Sequence, residues 1–521
     1  MEKSTKNSPL ILVILDGWGI GRKDNGDAIY LAPTPHFDAL RDKYPNTELF
    51  AHGRYVGLPV DQVGNSEAGH MNIGAGRLVE QDSVRITKSI KNGTFFKNSA
   101  FLGAIRHVNK MNSAVHLIGL LSNGQSPHSD PAHLSALLDL CRKNNLKKVY
   151  LHVITDGRDS PKYAALKLIN ELEKKHLGEY RVASVIGRFY AMDRTKKWDR
   201  TKEAYDALVH GEGRIVRSVQ EALSEAYNRG ESDEFIQPYV ISNGETDGAR
   251  IKDGDSVIFF NLRSDRSRQL AKVFMQSDFT VKNPGSFERQ KKLEHLYFVA
   301  MTDFGPDLDE ILTAFPSADL QDTLPMQLAD LKQLYIAETE KYAHVTYFFN
   351  GGFIGSIAGE EQFMVPSPNV RAYDEVPHMS TAELTEKMIS LIDKQQKKCQ
   401  YDFIVLNMAA PDMIGHTGNL PAAIETCRFV DDSLQKIVDS YFEIGAKIIV
   451  TADHGNIEQM IDLDTGEVYT EHTTNPVPFI VIGAGDLKLR TGGALCDIAP
   501  TILELLGRKK PREMKGKSLI V

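Results

Sequence analysis

The 521-residue sequence has few of the features that mark secreted, membrane-spanning or nucleic-acid-binding proteins. It contains only four cysteines, none of them in a CxxC pair: Cys141, Cys399, Cys427 and Cys496. This sparse spacing indicates reduced thiols in a cytoplasmic protein and not a disulfide framework. The apolar run Leu10–Leu15 is interrupted by Asp16, which makes it too short for a signal-peptide core, and nothing approaches the ~20 apolar residues of a membrane span. The formal net charge of -8 argues against a nucleic-acid partner, because nucleic-acid-binding surfaces are broadly basic.

What the chain does contain is an alternation of short apolar runs and amphipathic segments. Runs that end abruptly in polar or glycine-containing turns predict buried strands at Leu10–Leu15, Val115–Leu121, Lys148–Thr155, Val182–Ile186, Ser256–Phe260, Phe403–Leu406 and Lys447–Thr451. Apolar residues spaced three and four apart predict helices at Ala132–Arg142, Tyr163–Lys175, Thr381–Gln395 and Pro421–Phe442. This alternation predicts an α/β fold with largely parallel sheets.

The length predicts two large domains, and proline content suggests where they meet. Pro306–Leu324 has two prolines and little periodicity, so we interpret it as a linker. The polar stretch Phe279–Lys292 is a weaker candidate, because a strand-like run, His295–Met301, follows it. A second crossing after Gly76 would make the middle of the chain an insertion into a discontinuous first domain.

The stretch Gly57–Arg77 has five glycines and few large apolar residues, which predicts a loop outside the core. It carries Ser66, with Glu67, His70 and Asn72 close behind. Ser66 could be a nucleophile or metal ligand at the start of a helix, where free N–H groups favour an anion. Alternatively, it could simply cap that helix. The stretch is not a GxSxG elbow, so a Ser–His–Asp triad is not expected.

Acidic residues follow three of the strand-like runs: Asp16, Asp412 and Asp453. Because ligands of an open parallel sheet lie beyond the carboxyl ends of its strands, we expect these aspartates to converge. The alternative for each one is a helix cap, but three together with neighbouring histidines make capping a poor explanation.

Histidines accompany these aspartates. His416 lies one helical turn after Asp412, His454 follows Asp453 directly, and His472 lies in the loop before another strand. This mixed oxygen and nitrogen set suits Mn, Zn, Co or Fe and is large enough for two ions. Ionised Ser66 held by such ions would be a nucleophile towards phosphorus.

Arginines recur at strand ends in the middle of the chain: Arg158, Arg188, Arg194, Arg263 and Arg266. Their planar guanidinium groups bind phosphate and carboxylate in a bidentate manner, so the group predicts a small, multiply anionic substrate. His128 and Asp159 in the same neighbourhood are candidates for proton transfer, and Lys341 follows in the run AETEKYAH. The alternative is an ion-paired, solvated surface, which would explain most arginines in a chain with 61 basic residues.

Eight motifs, in this order, closely resemble one family: LVILDGWG, GNSEAGHMNIGAGR, TDGRDS, IGRFYAMDRTKKWDR, ETEKYAHVTYFFNGG, APDMIGHTG, TADHGN and HTTNPVPF. This is the cofactor-independent (2,3-bisphosphoglycerate-independent) phosphoglycerate mutase family of the alkaline phosphatase superfamily, and the resemblance runs from about Leu10 to the end of the chain. It implies the interconversion of 3-phosphoglycerate and 2-phosphoglycerate in glycolysis and gluconeogenesis. It also implies two α/β domains: a metal-binding, phosphatase-like domain over residues 1–80 and 316–521 with a mostly parallel central sheet, and an inserted transferase domain over residues 81–315.

The resemblance also implies roles for individual residues. Two manganese-type ions would be held, one by Asp16, Ser66, Asp453 and His454 and the other by Asp412, His416 and His472. Ser66 would become phosphorylated with Lys341 beside it, and 2,3-bisphosphoglycerate would not be required. The phosphoglycerate would be held by His128, Arg158, Asp159, Arg188, Arg194, Arg263, Arg266 and Lys341, with Asp159 as the acid or base. One loop departs from the family: Gly124–Asp130 reads GQSPHSD where members commonly have a GGVHSH-like segment, so Asp130 replaces the second histidine.

Two other functions are compatible with parts of this pattern. A phosphomonoesterase or another phosphomutase could use the same metal core, but plain hydrolysis does not require arginines that retain the dephosphorylated product. A non-catalytic anion-binding protein is disfavoured by the combination of metal ligands and a nucleophile. We therefore expect a monomeric, cytoplasmic enzyme whose partner is a small-molecule substrate.

Overall fold

The computed structural model describes residues 8–242, 249–305, 307–308, 311–316, 320–370, 372–393, 398–462 and 465–521. The chain divides into two compact units, the first formed by Met1–Gln81 together with Ala318–Val521 and the second by Asp82–Ser317. The first unit is therefore discontinuous. Part of the predicted linker Pro306–Leu324 lies outside the described residues.

Eighteen strands are numbered here in chain order over the described residues. They are β1 (Leu10–Leu15), β2 (Asn46–Phe50), β3 (Val115–Leu121), β4 (Val149–Thr155), β5 (Arg181–Gly187), β6 (Arg214–Val216), β7 (Tyr239–Ile241), β8 (Ser256–Phe259), β9 (Tyr297–Thr302), β10 (Leu312–Phe315), β11 (Gln333–Glu338), β12 (Glu361–Val365), β13 (Ile392–Asp393), β14 (Lys398–Cys399), β15 (Phe403–Met408), β16 (Lys447–Thr451), β17 (Val477–Ile482) and β18 (Gly493–Ala494).

The α-helices are numbered in the same way over the described residues. They are α1 (Ala28–Leu31), α2 (Pro35–Lys43), α3 (Ser66–Ala75), α4 (Asp82–Lys91), α5 (Ser99–Met111), α6 (Pro131–Lys143), α7 (Ala165–Lys175), α8 (Arg188–Ala191), α9 (Trp198–Val209), α10 (Val219–Asn228), α11 (Ser264–Met275), α12 (Phe279–Lys282), α13 (Leu324–Gln327), α14 (Thr339–Ala343), α15 (Thr381–Ser390), α16 (Ala410–Gly415), α17 (Leu420–Glu443) and α18 (Ile498–Leu505). A π-helical turn, His344–Phe348, continues α14.

The first unit is built on an eight-stranded sheet with the order β12-β11-β15-β1-β16-β17-β2-β18. Strand β1 lies between β15 and β16 and is parallel to both. Every residue of β1 is buried, as expected for a strand that is covered on both faces and reads as an unbroken apolar run. Over the described part of this sheet, the antiparallel pairings are those of β17 with β16 and with β2. The carboxyl ends of β1, β15 and β16 therefore lie side by side at one edge.

The second unit has its own eight-stranded sheet, with the order β10-β9-β8-β3-β4-β5-β7-β6. Alternate residues of β3 belong to different cores: Leu117 packs in one apolar cluster, and Ile118 and Leu120 pack in another. Helices therefore cover both faces of this sheet, and the predicted α/β class with largely parallel sheets is confirmed.

The predicted elements are present with shifted ends. Helix α15 ends at Ser390, short of the predicted Gln395, which lies outside the described residues; the short strand β13 follows the helix. The polar segment Phe279–Lys292 is not a linker, because Phe279 begins α12 and is buried, and Phe287 packs against the same apolar cluster. The polar residues around Phe279 and Phe287 gave the segment the composition of a linker, although both aromatic side chains pack in the core. Among the helices that the structure describes, none is long and apolar enough to cross a membrane.

Candidate active site

Ser66 is the first residue of α3, and its position corrects the expectation of an exposed loop. The helix N-cap is Asn65, whose side chain accepts a hydrogen bond from the Ala68 N–H at 2.9 Å, so Ser66 does not serve as the cap. The Ser66 side chain is free for another role, although the residue is only 5% exposed. Eight of the ten residues of α3 are buried. The segment is therefore part of the core, contrary to the prediction from its composition.

Small residues make this burial possible, because they let other backbone segments approach α3 closely. A Cβ atom at Gly69 would lie 2.7 Å from the carbonyl oxygen of Asp453, and one at Gly74 would lie 2.0 Å from that of Phe349. Neither position can accept a larger side chain without displacing backbone. The glycines thus hold the Ser66 helix directly against the loop that carries Asp453.

The three aspartates converge at the carboxyl edge of the first unit's sheet. Asp16 follows β1 directly, Asp412 lies in the first turn of α16 just after β15, and Asp453 lies two residues beyond β16. None of them occupies the N-cap of a helix within the described residues, and α16 has Ala409 at that position. Their convergence follows from the parallel register of adjacent strands.

Ser66 Oγ lies at the centre of this group. Lys341 Nζ donates a hydrogen bond to it at 2.7 Å and also contacts Asp16 Oδ1 at 2.7 Å and Asp412 Oδ2 at 2.6 Å. The hydroxyl donates to Asp16 Oδ1 at 3.2 Å and lies 2.9 Å from His454 Nε2. The oxygen therefore has a cationic donor on one side and proton acceptors on the other.

Two histidines bring further lone pairs to Asp412. His416 Nδ1 and His472 Nδ1 each lie 2.8 Å from a backbone carbonyl oxygen, of Thr470 and Gly64 respectively. Because a carbonyl only accepts, both Nδ1 atoms carry hydrogen, and in the neutral rings both Nε2 atoms carry lone pairs. These Nε2 atoms are 3.0 Å apart, and they lie 3.5 Å and 3.2 Å from Asp412 Oδ1. Three acceptors that face one another repel unless a proton or a metal cation lies among them.

The donor set therefore fits divalent metal ions. Ligand atoms of Asp16, Asp453 and His454 all lie within 4.8 Å of one another, and so do those of Asp412, His454 and His472. The Asp453 Oδ2 atom is buried with His70 Nδ1 3.2 Å away, and as a carboxylate oxygen it still has a lone pair for a metal ion. Carboxylate and imidazole donors of this kind suit a first-row transition metal.

The pKa values of these groups point the same way. Burial raises the pKa of Asp16, and repulsion from Asp453 raises it further. Burial alone would lower the pKa of Lys341, but Asp16, Asp412 and Asp453 raise it above its usual value, so the ammonium is charged. Burial lowers the pKa of His472 to about 4, with His454 contributing, so this ring is neutral near pH 7. The cluster thus has more negative charge than Lys341 alone balances.

The arginine-rich site of the second unit lies in the loops after four adjacent strands. His128 follows β3, Arg158 and Asp159 follow β4, Arg188 follows β5, and Arg263 follows β8. Arg188 is buried and donates to Asp156 Oδ1 at 2.5 Å and to Asp159 Oδ2 at 2.6 Å. Asp156 was not singled out from the sequence, although it follows its strand as directly as Asp16 does.

The remaining arginines leave this site with excess positive charge. Arg194 donates to Asp265 Oδ2 at 2.9 Å. Burial lowers the pKa of Arg266 to about 10, and repulsion from Arg188, Arg194 and Arg158 adds to the effect. Guanidinium groups that repel one another in this way favour an anionic ligand.

His128 and Asp159 both belong to this site. Burial and the positive charge of Arg263 lower the pKa of His128 to about 3, so the ring is neutral. Burial alone would raise the pKa of Asp159, but the Arg188 guanidinium beside it lowers that pKa below its usual value, so the group is a carboxylate. In the altered loop, Asp130 caps α6 by accepting from the Ala132 N–H at 2.8 Å. Asp130 thus has a structural role.

Glu338, at the carboxyl end of β11, supports a prediction about stability. It is fully buried, one carboxyl oxygen has no partner among the described residues, and burial raises its pKa to about 7. Since the folded pKa lies above the unfolded value, this group stabilises the fold below about pH 4.5, and the contribution is lost as the pH rises towards 7. Glu338→Gln should therefore match the wild type near pH 4.5 and exceed it at pH 8, by up to roughly 3 kcal/mol. Urea unfolding midpoints across this range would measure the difference.

The matched control for this experiment is Glu386→Gln, which changes an exposed glutamate of α15. It should leave the midpoint unchanged at both pH values. A Glu338→Gln variant whose difference from the wild type does not change with pH would show that folding leaves the pKa of Glu338 unshifted.

Known proteins resemble the whole of this chain. Residues 86–306 match the family model described as the BPG-independent PGAM N-terminus, and residues 332–516 match that of type I phosphodiesterase / nucleotide pyrophosphatase. The 2,3-bisphosphoglycerate-independent phosphoglycerate mutase of Acetivibrio thermocellus is 46% identical over 99% of this chain and 100% of its own length. The corresponding mutase 1 of Methanosarcina acetivorans is 49% identical over 98% of each chain. The crystal structure of Leishmania mexicana phosphoglycerate mutase at low cobalt concentration has a TM-score of 0.82 at 31% identity and covers 100% of this chain and 99% of its own.

A buried serine among aspartates and histidines lies at the carboxyl edge of a mostly parallel sheet, in the part of the chain that matches the type I phosphodiesterase model, and this places the first unit in the alkaline phosphatase superfamily. Within that superfamily, two findings identify one family: the second unit matches the model of the BPG-independent PGAM N-terminus, and the whole chain is similar to the two microbial mutases. The chain belongs to the 2,3-bisphosphoglycerate-independent phosphoglycerate mutase family.

Proposed function

We propose that this chain interconverts 3-phosphoglycerate and 2-phosphoglycerate through a phosphoserine at Ser66. The observation that carries this proposal is the environment of Ser66 Oγ, which lies 2.7 Å from Lys341 Nζ and 2.9 Å from His454 Nε2 in a buried group of aspartates. A serine that only stabilised the fold would not require a buried cation and three carboxylates around its hydroxyl. The full-length similarity to mutases supports the choice of substrate.

The chain's own residues account for the transfer to and from Ser66. Asp16 accepts the hydrogen of the hydroxyl, so the proton has an acceptor as the oxygen attacks phosphorus. Lys341 donates to the same oxygen and stabilises the negative charge that develops on it. Because Lys341 is buried, its positive charge acts here with little screening by water.

Two divalent ions, most suitably Mn²⁺, complete the proposed site. Asp16, Ser66, Asp453 and His454 would hold one, and Asp412, His416 and His472 the other. When bound, such ions lower the pKa of the serine hydroxyl and balance charge on the phosphoryl oxygens.

The second unit would hold the glycerate. Arg158, Arg188, Arg194, Arg263 and Arg266 would bind its anionic groups, and Asp159 would move the proton of the hydroxyl that gives up or receives the phosphoryl group. Retention of the dephosphorylated glycerate distinguishes a mutase from the alternative, a phosphomonoesterase with the same metal site. We further propose a cytoplasmic monomer; all four cysteines are free thiols in the structure.

Removal of metal tests this function most directly. Exhaustive chelation should abolish conversion of 3-phosphoglycerate, because the buried carboxylates and imidazoles then lack their counter-charge, and Mn²⁺ should restore it. Conversion is followed through enolase without added 2,3-bisphosphoglycerate. Full activity in protein shown by elemental analysis to be metal-free would refute the proposal. The control is a calcium-restored sample, which should stay much less active because Ca²⁺ prefers an all-oxygen site.

A further inference from the structure

Two buried residues beside the metal-ligand set are not assigned any role by the reaction proposed above. Asn407 lies in β15, a strand in which every residue is buried, and His70 lies one turn into α3. A polar side chain inside an apolar strand costs stability unless its hydrogen-bonding groups are satisfied. Their contacts therefore require an explanation.

The contacts form a chain from the nucleophile to a metal ligand. Asn407 Nδ2 donates to Asp16 Oδ2 at 2.6 Å and lies 3.1 Å from His70 Nε2. His70 Nδ1 lies 2.9 Å from the backbone carbonyl oxygen of Ser66. Because that carbonyl can only accept, Nδ1 carries the hydrogen and Nε2 accepts the second amide hydrogen of Asn407. Both hydrogens of the amide are used, and the orientation of each group is determined by the next.

We propose that His70 and Asn407 are positioning residues that hold the Asp16 carboxylate in a fixed orientation relative to Ser66. Asn407 occupies Oδ2 of Asp16, so Oδ1 alone faces the Ser66 hydroxyl and Lys341. His70 prevents the amide from rotating, and it also lies 3.2 Å from Asp453 Oδ2. The effect is specific to the ion that Asp16, Ser66, Asp453 and His454 would hold, so the inference rests on the metal-dependent function proposed above.

Asp412 has a separate partner, which makes the two proposed ion sites distinguishable. Asn456 Nδ2 donates to Asp412 Oδ1 at 2.8 Å. A substitution in the His70–Asn407 pair should therefore lower the affinity for one ion, whereas a substitution of Asn456 should lower the affinity for the other. Loss of such an outer hydrogen bond typically costs about 10–100-fold in metal affinity.

The experiment is a calorimetric titration of the full-length, metal-free chain with Mn²⁺. The wild type should bind two ions. Asn407→Ala should lower the affinity for one ion by about 10–100-fold and leave the affinity for the other unchanged. Asn456→Ala should instead lower the affinity for that other ion. The double variant Asn407→Ala/Asn456→Ala should bind both ions more weakly. This result would show that the two substitutions act on different ion sites.

Controls separate positioning from loss of structure. Gln333→Ala removes a buried amide from β11, where it bonds the carbonyl oxygens of Pro325 and Leu328, and should leave both affinities unchanged. His70→Leu should behave like Asn407→Ala, whereas His70→Gln, whose amide oxygen can accept from Asn407, should recover most of the affinity. Circular dichroism verifies folding, and His70→Gln compared with His70→Leu carries the test if Asn407→Ala does not fold.

Two results would count against these assignments in different ways. Wild-type affinities for both ions in Asn407→Ala and His70→Leu would overturn the positioning role and leave the proposed function intact. A wild-type chain that binds no Mn²⁺ would overturn the metal-dependent function and this inference together.

Discussion

Ser66→Ala is expected to abolish phosphoryl transfer and leave the fold intact. The substitution removes the hydroxyl that Lys341 and Asp16 contact. It should not disturb the start of the helix, because Asn65 and not Ser66 is the N-cap. The loss of a covalent nucleophile should lower kcat by at least ~10³-fold. The measurement is mutase activity with saturating Mn²⁺, combined with intact-mass analysis after incubation with 3-phosphoglycerate, which should show a phosphorylated wild type and an unmodified variant.

Ser433→Ala is the matched control, since it also removes a hydroxyl from a buried helical serine of the first unit. Its activity and thermal stability should remain close to those of the wild type. If Ser66→Ala retains substantial activity, or if the wild type never acquires a phosphoryl group, another residue is the nucleophile.

Arg263→Ala is expected to separate mutase activity from hydrolysis. After Ser66 accepts the phosphoryl group, the glycerate must stay bound and turn so that its other hydroxyl faces the phosphoserine. Each charged contact with an anion contributes about 1.5–3 kcal/mol, or roughly one to two powers of ten in retention. Mutase activity should fall by at least that factor, while slow release of inorganic phosphate persists or rises relative to it. Both rates are measured on one preparation with saturating Mn²⁺.

The control for this variant is Arg268→Ala, one turn further along α11, where the guanidinium is paired with Asp307. Arg268→Ala should change the mutase rate, the rate of phosphate release and the ratio of the two by no more than a few-fold. A parallel fall of both activities in Arg263→Ala would limit Arg263 to initial binding. Unchanged activities would remove it from the substrate site.

Local sequence was sufficient for the fold class and for most of the strands. The run Leu10–Leu15 favoured a strand covered on both faces, because six successive apolar residues have no polar side to present to water and the run is short for a helix. The three aspartates after such runs were predicted to converge because carboxyl ends of parallel strands share an edge. The amphipathic segment beginning at Pro421 was equally clear, although α17 extends one residue beyond it at each end.

The sequence also determined which chemistry to expect, because the motifs place serine, aspartate, histidine and arginine at those strand ends. Composition misjudged Gly57–Arg77, since glycine and alanine are as suited to a tightly packed buried helix as to a loop. What packs against Gly69 and Gly74 comes from Asp453 and Phe349, which are far away in the chain.

Only the tertiary structure decided how the candidate site is held together. Asn407 and Asp16 are 391 positions apart in sequence, and Lys341 and Asp16 are 325 apart. No periodicity or spacing encodes such pairs, because they depend on which strands are neighbours and on their register. The same holds for the Nε2 atoms of His416 and His472, which face each other because two backbone carbonyls fix the ring orientations. The sequence by itself determined the reactive groups and the strand ends that carry them, and the register of the assembled sheet determined their distances, protonation and partners.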